Sequence, residues 1–192
     1  MNAVNGLISY SIRKELLHVK NVELKHPAKI EPAFFADAML GSMARKLRVL
    51  GFDTLYFRDI SDDEILDIAT KHDRVILTCD KELFKRILKV GGYGALLDGR
   101  TDLDNLIHIF VKYGIKAVDL ETNCSRCVLC NGFLEPKRTR EIESNLIPPR
   151  IRTQYKEIFQ CTCCNKCFWR GSHYQQLKKM AKLIEARLNS AV

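Results

Sequence analysis

Seven of the eight cysteines fall in two short clusters, and this feature limits the fold more than any other. The first cluster spans residues 124–130 and the second spans residues 161–167. Each contains C-x2-C pairs, and about 30 residues separate the two clusters. This spacing is typical of a zinc ribbon, in which two tight turns each supply two thiolates to one tetrahedral Zn²⁺. In a reducing compartment such spacing indicates a metal site rather than disulfides.

Overlapping C-x2-C pairs leave the choice of ligands open, and turn chemistry narrows it. The residue after the second cysteine of a zinc-binding turn needs a positive φ, which Gly and Asn adopt most easily. Asparagine follows Cys130 and Cys164, whereas valine and phenylalanine follow the second cysteines of the competing pairs. β-branched and bulky side chains fit that conformation poorly. We therefore predict that the zinc ligands are Cys127, Cys130, Cys161 and Cys164.

The other residues of the clusters receive structural assignments. Cys124, Cys163 and Cys167 are predicted to be spare or packed thiols. We expect His173 to be a structural or substrate-contacting residue rather than a ligand. A four-thiolate zinc site is closed, so it stabilises the module and leaves no coordination position for chemistry.

The C-terminal third is strongly basic. Residues 121–192 hold 13 of the 31 Lys and Arg but only six of the 23 Asp and Glu. Such a surface favours a nucleic-acid partner, since cations hold phosphates and aromatic rings stack unpaired bases. The alternatives are a solvated basic surface and aromatics that pack the ribbon, which is the role expected of Phe159 and Phe168. Candidate nucleic-acid contacts are Arg45, Arg126, Lys137, Arg138, Lys166, Trp169, Arg170 and His173.

Short apolar runs alternate with helical patterns between residues 33 and 120. Strands are predicted at 33–36, 54–57, 75–78 and 95–97, and the stripe formed by Leu40, Met43, Leu47 and Leu50 predicts the first helix. Alternation at this pitch predicts an α/β fold, with a parallel sheet flanked by helices. We divide the chain into an N-terminal extension (1–32), an α/β domain (33–120) and a zinc ribbon with a basic C-terminal helix (121–192). The apolar face of that last helix is expected to pack on the body of the protein.

An acid closely follows each predicted strand. Asp37, Asp59, Asp80 and Asp98 follow the four strands in order, and Asp63 lies in the acidic start of the second helix. The carboxyl ends of parallel strands share one edge of a sheet, so these carboxylates are expected to lie near one another. Clustered carboxylates need a cation, and their hard oxygens suit Mg²⁺ or Mn²⁺. Two such ions can activate water and stabilise the leaving oxygen of a phosphodiester.

The simpler interpretation of each acid is a helix cap, because βα loops often end in Asp for that reason alone. It applies to every one of these residues taken singly. The metal-binding interpretation depends on the set as a whole, and it is strongest for Asp37 and Asp80, which end the first and third strands.

Several motifs in order resemble one known family. The segments "FFADAMLGSMARKLRVLGFDTLYF", "DDEILDIA", "RVILTCDKEL", "CVLCNGFL" and "FWRGSHY" are similar to the Mut-seven C-terminal RNase domain family. In that family a PIN-like nuclease domain precedes a zinc ribbon. The resemblance runs from about Phe34 to Tyr174 and implies the same four zinc ligands. It also implies catalytic acids, which are Asp37, Asp63 and Asp80, with Asp98 as a later match. Cys79 stands where the family often has a basic residue.

The sequence thus predicts a Mg²⁺- or Mn²⁺-dependent ribonuclease with a structural Zn²⁺, whose ribbon helps to bind RNA. The alternative is a nucleic-acid-binding module without catalysis, serving RNA or ribosome-associated assembly. We expect a cytoplasmic protein with no membrane association, since no apolar run approaches the roughly 20 residues of a membrane span and residues 1–17 lack the features of a leader.

Overall fold

The computed structural model describes residues 32–98, 101–118, 120 and 125–190. Nearly all of the predicted N-terminal extension and Cys124 therefore lie outside the described residues. The parallel sheet consists of β1 (Phe34–Ala36), β2 (Thr54–Tyr56), β3 (Val75–Thr78) and β4 (Gly94–Leu96), in the order β2-β1-β3-β4. All four strands match the predicted runs to within a residue or two, and the sheet is parallel as predicted.

Helices cover both faces of this sheet. They are α1 (Gly41–Val49), α2 (Asp62–Lys71), α3 (Lys81–Lys89), α4 (Asp102–Lys112) and the C-terminal α6 (Ser172–Ser190). Consecutive residues of β1 point to opposite faces: Phe34 packs among α1, α4 and α6, and Phe35 packs among α2 and α3. Because both faces are buried, the strands are continuous apolar runs rather than alternating ones. The predicted stripe on α1 is wholly buried.

The ribbon is a three-stranded antiparallel sheet built from β5 (Leu134–Arg138), β6 (Glu157–Cys161) and β7 (Cys167–Phe168). A short helix, α5 (Pro149–Gln154), lies between β5 and β6. The apolar residues of the ribbon form two small cores, one around the cysteine turns and one around Ile158. Cys167 is buried among the isoleucines of the core around Ile158, which confirms its prediction as a packed thiol.

The C-terminal helix belongs structurally to the first part of the chain. Its residues Ala181, Ile184 and Leu188 are buried in the same core as Phe34, and the helix packs along α4. The predicted apolar face therefore packs on the body. None of the described helices, the 19-residue α6 included, combines the length and apolar character that a bilayer crossing needs.

Candidate functional site

The carboxyl edge of the parallel sheet carries Asp37 directly after the central strand β1. Its side chain is only 9% exposed. One carboxylate oxygen accepts a hydrogen bond from the hydroxyl of Thr78 at 2.8 Å, and the other accepts from the N–H of Ala38 at 2.5 Å. Asp37 therefore caps a short 3-10 turn, Ala38–Leu40, that leads into α1. Its orientation is fixed by Thr78 on the neighbouring strand β3 and by the turn that follows β1.

Asp80 is tied to the same hydroxyl from the other side. The Thr78 hydroxyl oxygen accepts a hydrogen bond from the Asp80 N–H at 2.9 Å. The Asp80 carboxylate caps α3, accepting from the N–H groups of Glu82 and Leu83 at 2.6 and 3.3 Å through Oδ1. Thr78 thus links the backbone of Asp80 to the carboxylate of Asp37. Sequence reasoning did not single out Thr78, although its position two residues before an acid was visible.

Asp98 and Cys79 extend this edge toward β4. Burial raises the pKa of the Cys79 thiol, and the negative charges of Asp37 and Asp98 raise it further. Cys79 follows β3, which lies between β1 and β4 in the sheet. The acids that follow β1 and β4 therefore flank the end of β3, and their joint binding of a metal ion stays a prediction.

Asp63 has a different environment. Its carboxylate pairs with Arg86, and that guanidinium also binds Asp62 at 3.1 Å. The Asp63 side chain is 87% exposed. Arg86 thus neutralises two acidic residues at the start of α2. Its guanidinium competes with any metal ion for the Asp63 carboxylate.

A further acid at this end of the molecule was missed from the sequence. Asp102, the first residue of α4, accepts hydrogen bonds from Lys46 at 2.5 Å and from Ser42 at 3.0 Å. Burial alone would raise the pKa of Asp102, but Lys46 and Ser42 outweigh it and hold the pKa below its usual range. Helical spacing already places Ser42 and Lys46 on one face of α1. Nothing local indicates their partner.

The four predicted zinc ligands come together. The Sγ atoms of Cys127, Cys130, Cys161 and Cys164 all lie within 4.8 Å of one another. Cys127 and Cys164 are 3.7 Å apart, and Cys130 and Cys161 are 3.4 Å apart. A tetrahedron with Zn–S bonds of about 2.3 Å has edges of about 3.8 Å, so the thiols fit a Zn²⁺ ion. In the described part of the chain, this is the single group of three or more ligands at such distances.

The turns of the zinc site have the predicted conformation. Asn131 and Asn165, which follow the second cysteines, have φ values of 64° and 59°. The N–H groups of Cys163 and Cys164 point at the sulfur of Cys161 at 3.4 and 3.5 Å. Cys163 lies beside the cluster but outside the group of four, as predicted.

Asn131 also joins the ribbon to the opposite, amino edge of the parallel sheet. Its amide oxygen accepts from the N–H of Thr54 on the edge strand β2 at 3.1 Å, and its amide nitrogen donates to Asp53 at 2.7 Å. Arg48, only 2% exposed, reaches the carbonyls of Val128 and Leu129 in the first zinc-binding turn at 3.1 and 3.2 Å. The zinc site is therefore docked at the end of the sheet away from the acids.

A mostly buried carboxylate, that of Asp53 with 18% of its side chain exposed, organises this junction. Asp53 accepts from both terminal nitrogens of Arg74, at 2.8 and 3.1 Å. Burial on its own would raise the pKa of Asp53, but the bonds and charge of Arg74, followed by the charge of Arg126 and the bond from Asn131, hold that pKa below its usual range.

Arg126, a predicted nucleic-acid contact, is largely enclosed and is paired within the chain. Its side chain is 16% exposed, lies 4.0 Å from Asp53 and stacks over the ring of Phe133 at 4.3 Å. It also donates to the carbonyl of Asn131 at 3.1 Å. The sequence showed the charge of Arg126 but not Asp53, its distant partner.

The other predicted contacts separate into two groups. Arg45 on α1 and Lys166 in the ribbon are exposed, and so is Arg138, which lies 4.0 Å from Glu141, while Lys137 is half-buried. Trp169, Arg170 and His173 instead lie around one cavity, between the ribbon and the start of α6. Phe159 and Phe168 pack against the cysteine turns, as expected of ribbon core residues.

We expect the Asn131 bridge to contribute measurably to stability. Asn131→Ala strains the positive φ and leaves the buried Thr54 N–H without its acceptor, at a combined cost of about 2–4 kcal/mol of unfolding free energy. Asn165→Ala is the matched control, because Asn165 has the same backbone conformation but is exposed. Its expected cost is about 1 kcal/mol. Chemical denaturation of the zinc-loaded variants measures both values, and equal losses would contradict the bridging role.

The fold and site define an α/β protein with acids at the carboxyl edge of its parallel sheet and, at the amino edge, a four-cysteine ribbon that could bind zinc. The family comparison makes this specific. The Mut7-C RNAse domain model matches residues 32–181, and the chain belongs to that family. This confirms the resemblance found in the sequence and supports a nuclease-type, RNA-related hydrolase. A search of curated proteins finds no match to the chain.

Proposed function

We propose that this protein is a ribonuclease that uses Mg²⁺ or Mn²⁺ to hydrolyse RNA phosphodiester bonds at the carboxyl edge of its parallel sheet. The acids proposed to serve the reaction are Asp37, Asp80, Asp98 and Asp63. The family match supports the RNase class, and the arrangement of the acids supports the use of a metal ion.

One observation carries the proposal, which is the environment of Asp37. A buried carboxylate is expected to be paired with a cation or to bind a metal ion. Asp37 is buried at the end of β1, its charge acts on the Cys79 thiol to raise that pKa, and no ion pair with Lys or Arg reaches it within the described ranges. Its two hydrogen bonds orient the carboxylate without neutralising it. A divalent cation would supply the missing charge.

The acids at this edge fit a Mg²⁺ or Mn²⁺ ion that binds one or two carboxylates and completes its coordination with water and substrate phosphate. The described carboxylates do not form a group of three within 4.8 Å of one another. Mg²⁺ commonly keeps several waters and takes one or two carboxylates together with substrate phosphates. Asp37 and Asp80 would hold the ion directly, and Asp98 would hold it directly or through water. When bound, such an ion lowers the pKa of its water and stabilises charge on the phosphate oxygens.

The chain's own residues prepare this edge. Thr78 holds the Asp37 carboxylate in place and ties it to the backbone of Asp80. Lys46 lies 2.5 Å from Asp102 and is partly exposed, so it is available to a phosphate that displaces the carboxylate. Asp63 is proposed to contribute less to metal binding than the other acids, because its carboxylate is already paired with Arg86. Exposed cations such as Arg45 and Lys166 would hold the strand nonspecifically.

We retain the proposal that the ribbon aids RNA binding and that the protein works in the cytoplasm. The separation of the two edges supports a division of labour: residues 121–192, the ribbon and the C-terminal helix, supply most of the net positive charge, and the acids lie at the far end of the sheet. The zinc site has four protein ligands, so it serves stability rather than hydrolysis.

The experiment is cleavage of end-labelled single-stranded RNA by the zinc-loaded protein with Mg²⁺, with Mn²⁺ and with no added divalent ion. We expect cleavage only with added Mg²⁺ or Mn²⁺. Asp80→Asn should lower the rate about 100-fold or more, since the metal loses a charged ligand. Asparagine caps helices as well as aspartate does, so α3 should keep its stability.

Asp67→Asn is the matched control, because Asp67 is an exposed acid of α2 that pairs only with Lys71 among the described residues. It should cleave like the parent. Unchanged cleavage by Asp80→Asn, or equal cleavage with and without divalent ions, would contradict the proposal. RNA binding without cleavage under any metal would favour a non-catalytic RNA-binding protein.

A further inference from the structure

The proposed reaction leaves unexplained a cavity at the junction of the ribbon and the α/β domain. Its volume is about 250 Å³. One wall comes from the end of α1 at Val49 and the first zinc-binding turn, and the other from the segment that leads into α6. In a protein that acts on a polymer, a cavity of this size is a candidate subsite for one unit of that polymer.

The lining is aromatic and aliphatic, and it includes cations but no carboxylate among the residues that the structure describes. Phe159, Phe168, Trp169 and Tyr174 contribute rings, Arg126 and Arg170 contribute guanidinium groups, and His173 contributes an imidazole. The charge of Arg126 is already shared with Asp53. The cavity thus offers ring faces beside positive charge, which complements a flat ligand that carries an anion.

Arg170 is placed for such a ligand. Its guanidinium lies over the rings of Phe159 at 5.2 Å and Tyr174 at 5.5 Å. No carboxylate pairs with it among the residues that the structure describes. A guanidinium fixed on aromatic rings keeps its edge donors free for a phosphate, and its planar shape suits bidentate binding.

Trp169 is held at the rim of the cavity. Its indole is 37% exposed and lies against Gly171, where an added Cβ would be 3.2 Å from two indole atoms. A side chain at position 171 would require the ring to shift by a few tenths of an ångström. The indole therefore packs closely against the backbone of Gly171 and keeps an exposed part at the rim, where a base can stack on it.

The volume selects the size of the ligand. An apolar protein cavity of about 150 Å³ accommodates one benzene ring. A cavity of about 250 Å³ has room for one heteroaromatic base, with its sugar and phosphate outside at the rim. Base stacking on aromatic side chains is the usual way in which proteins hold unpaired nucleotides.

We propose that this cavity binds one unpaired base of an RNA strand, with the adjacent phosphate on Arg170. This proposal rests on the proposed function for its RNA substrate. The cavity is a holding site rather than a reaction site, because α1 separates it from the acids: Gly41 is near Asp37, Val49 lines the cavity, and the helix between them rises about 12 Å. A strand must therefore extend past the cleavage site to use it.

The single tryptophan provides a local test. The full-length, zinc-loaded protein is titrated, with no added Mg²⁺ or Mn²⁺, with three ligands: a single-stranded oligoribonucleotide, the same strand containing abasic positions, and adenosine monophosphate. We expect the intact strand to change Trp169 fluorescence and to bind about tenfold more tightly than the abasic strand, since each stacked base contributes roughly 1–3 kcal/mol. The mononucleotide should give the same spectral change at much higher concentration.

Variants separate the pocket from general charge attraction. Arg170→Gln should weaken binding of the intact strand about tenfold, and Arg170→Lys should restore little, because it lacks the planar fork. Arg150→Gln is the matched control, as it removes an exposed guanidinium of the same ribbon that does not line the cavity. Its effect should be about threefold or less. Anisotropy of a labelled strand gives the affinities, and one zinc per chain verifies folding.

Two results would overturn the base pocket. One is equal binding of the intact and abasic strands, and the other is strand binding that leaves Trp169 fluorescence unchanged. If either result is found and the protein still cleaves RNA with a divalent ion, the base pocket is rejected and the nuclease function stands. Base-dependent binding without cleavage keeps the pocket and rejects the nuclease.

Discussion

Replacing Cys127 and Cys161 together by serine is expected to abolish zinc binding and to unfold the ribbon. These two cysteines are the buried members of the site, one from each turn, and with Leu134 they form the small core around it. Structural Zn²⁺ contributes roughly 10–16 kcal/mol of apparent binding free energy, which exceeds the stability of most domains. The ribbon's few remaining apolar residues cannot replace that contribution.

The damage should extend into the α/β domain. The first zinc-binding turn accepts the hydrogen bonds of Arg48, and Asn131 supplies partners to Thr54 and Asp53. Once the turn is disordered, these buried groups lose partners at about 1–3 kcal/mol each. We therefore expect a single, lowered thermal transition rather than an intact α/β transition beside an unfolded ribbon.

Elemental analysis and thermal denaturation followed by circular dichroism test this expectation. The parent should carry one zinc per chain and the double variant none. Cys163→Ser is the matched control, since Cys163 lies beside the site but outside the four ligands. Zinc retained by the double variant, or lost from Cys163→Ser, would show that the ligands are wrongly assigned.

The zinc site shows what local chemistry in a sequence can establish. Cysteine spacing and the asparagines that follow two of the cysteines were enough to choose four ligands from seven, because the positive φ is a property of the turn itself. The second role of Asn131 was not predictable. Its partners Asp53 and Thr54 are almost 80 residues earlier in the chain, and only the folded structure brings them together.

Charge alone was a poorer guide. Arg126 and Arg170 look alike in the sequence, as single arginines beside cysteines and aromatics. Both line the same cavity and lie over aromatic rings, but Arg126 is paired with Asp53, whereas no carboxylate pairs with Arg170 among the described residues. The same applies to the acids: topology predicted that strand-end carboxylates share an edge, but not that Arg86 pairs with Asp63 or that Asp102 joins the same end. Pairing between distant elements decides which charges remain available.

Asp37→Asn is expected to abolish RNA cleavage while leaving the fold intact. Asp37 ends the central strand, and its buried carboxylate is the acid most in need of a cation. Removing its charge should lower the rate about 1,000-fold, which corresponds to roughly 4 kcal/mol of transition-state stabilisation. The asparagine oxygen can still accept a hydrogen bond, so the turn into α1 should persist.

Stability measurements distinguish this role from a structural cap. If Asp37 binds a metal, the metal-free parent carries an uncompensated buried charge, and Asp37→Asn should melt at the same temperature or higher. Added Mg²⁺ should raise the melting temperature of the parent. At a Mg²⁺ concentration 100 times the dissociation constant of the site, the gain in unfolding free energy is about 2.7 kcal/mol. The variant should show no such gain. A cap alone predicts no Mg²⁺ dependence in either protein.

Asp67→Asn, purified in the same way, serves as the control for the loss of one charge and for contaminating nucleases. It should retain both cleavage and the Mg²⁺-dependent shift in melting temperature. Cleavage by Asp37→Asn within twofold of the parent would remove the central acid from the mechanism. The strand-end carboxylates would then be helix caps, and the family's reaction would have to take place elsewhere on this chain.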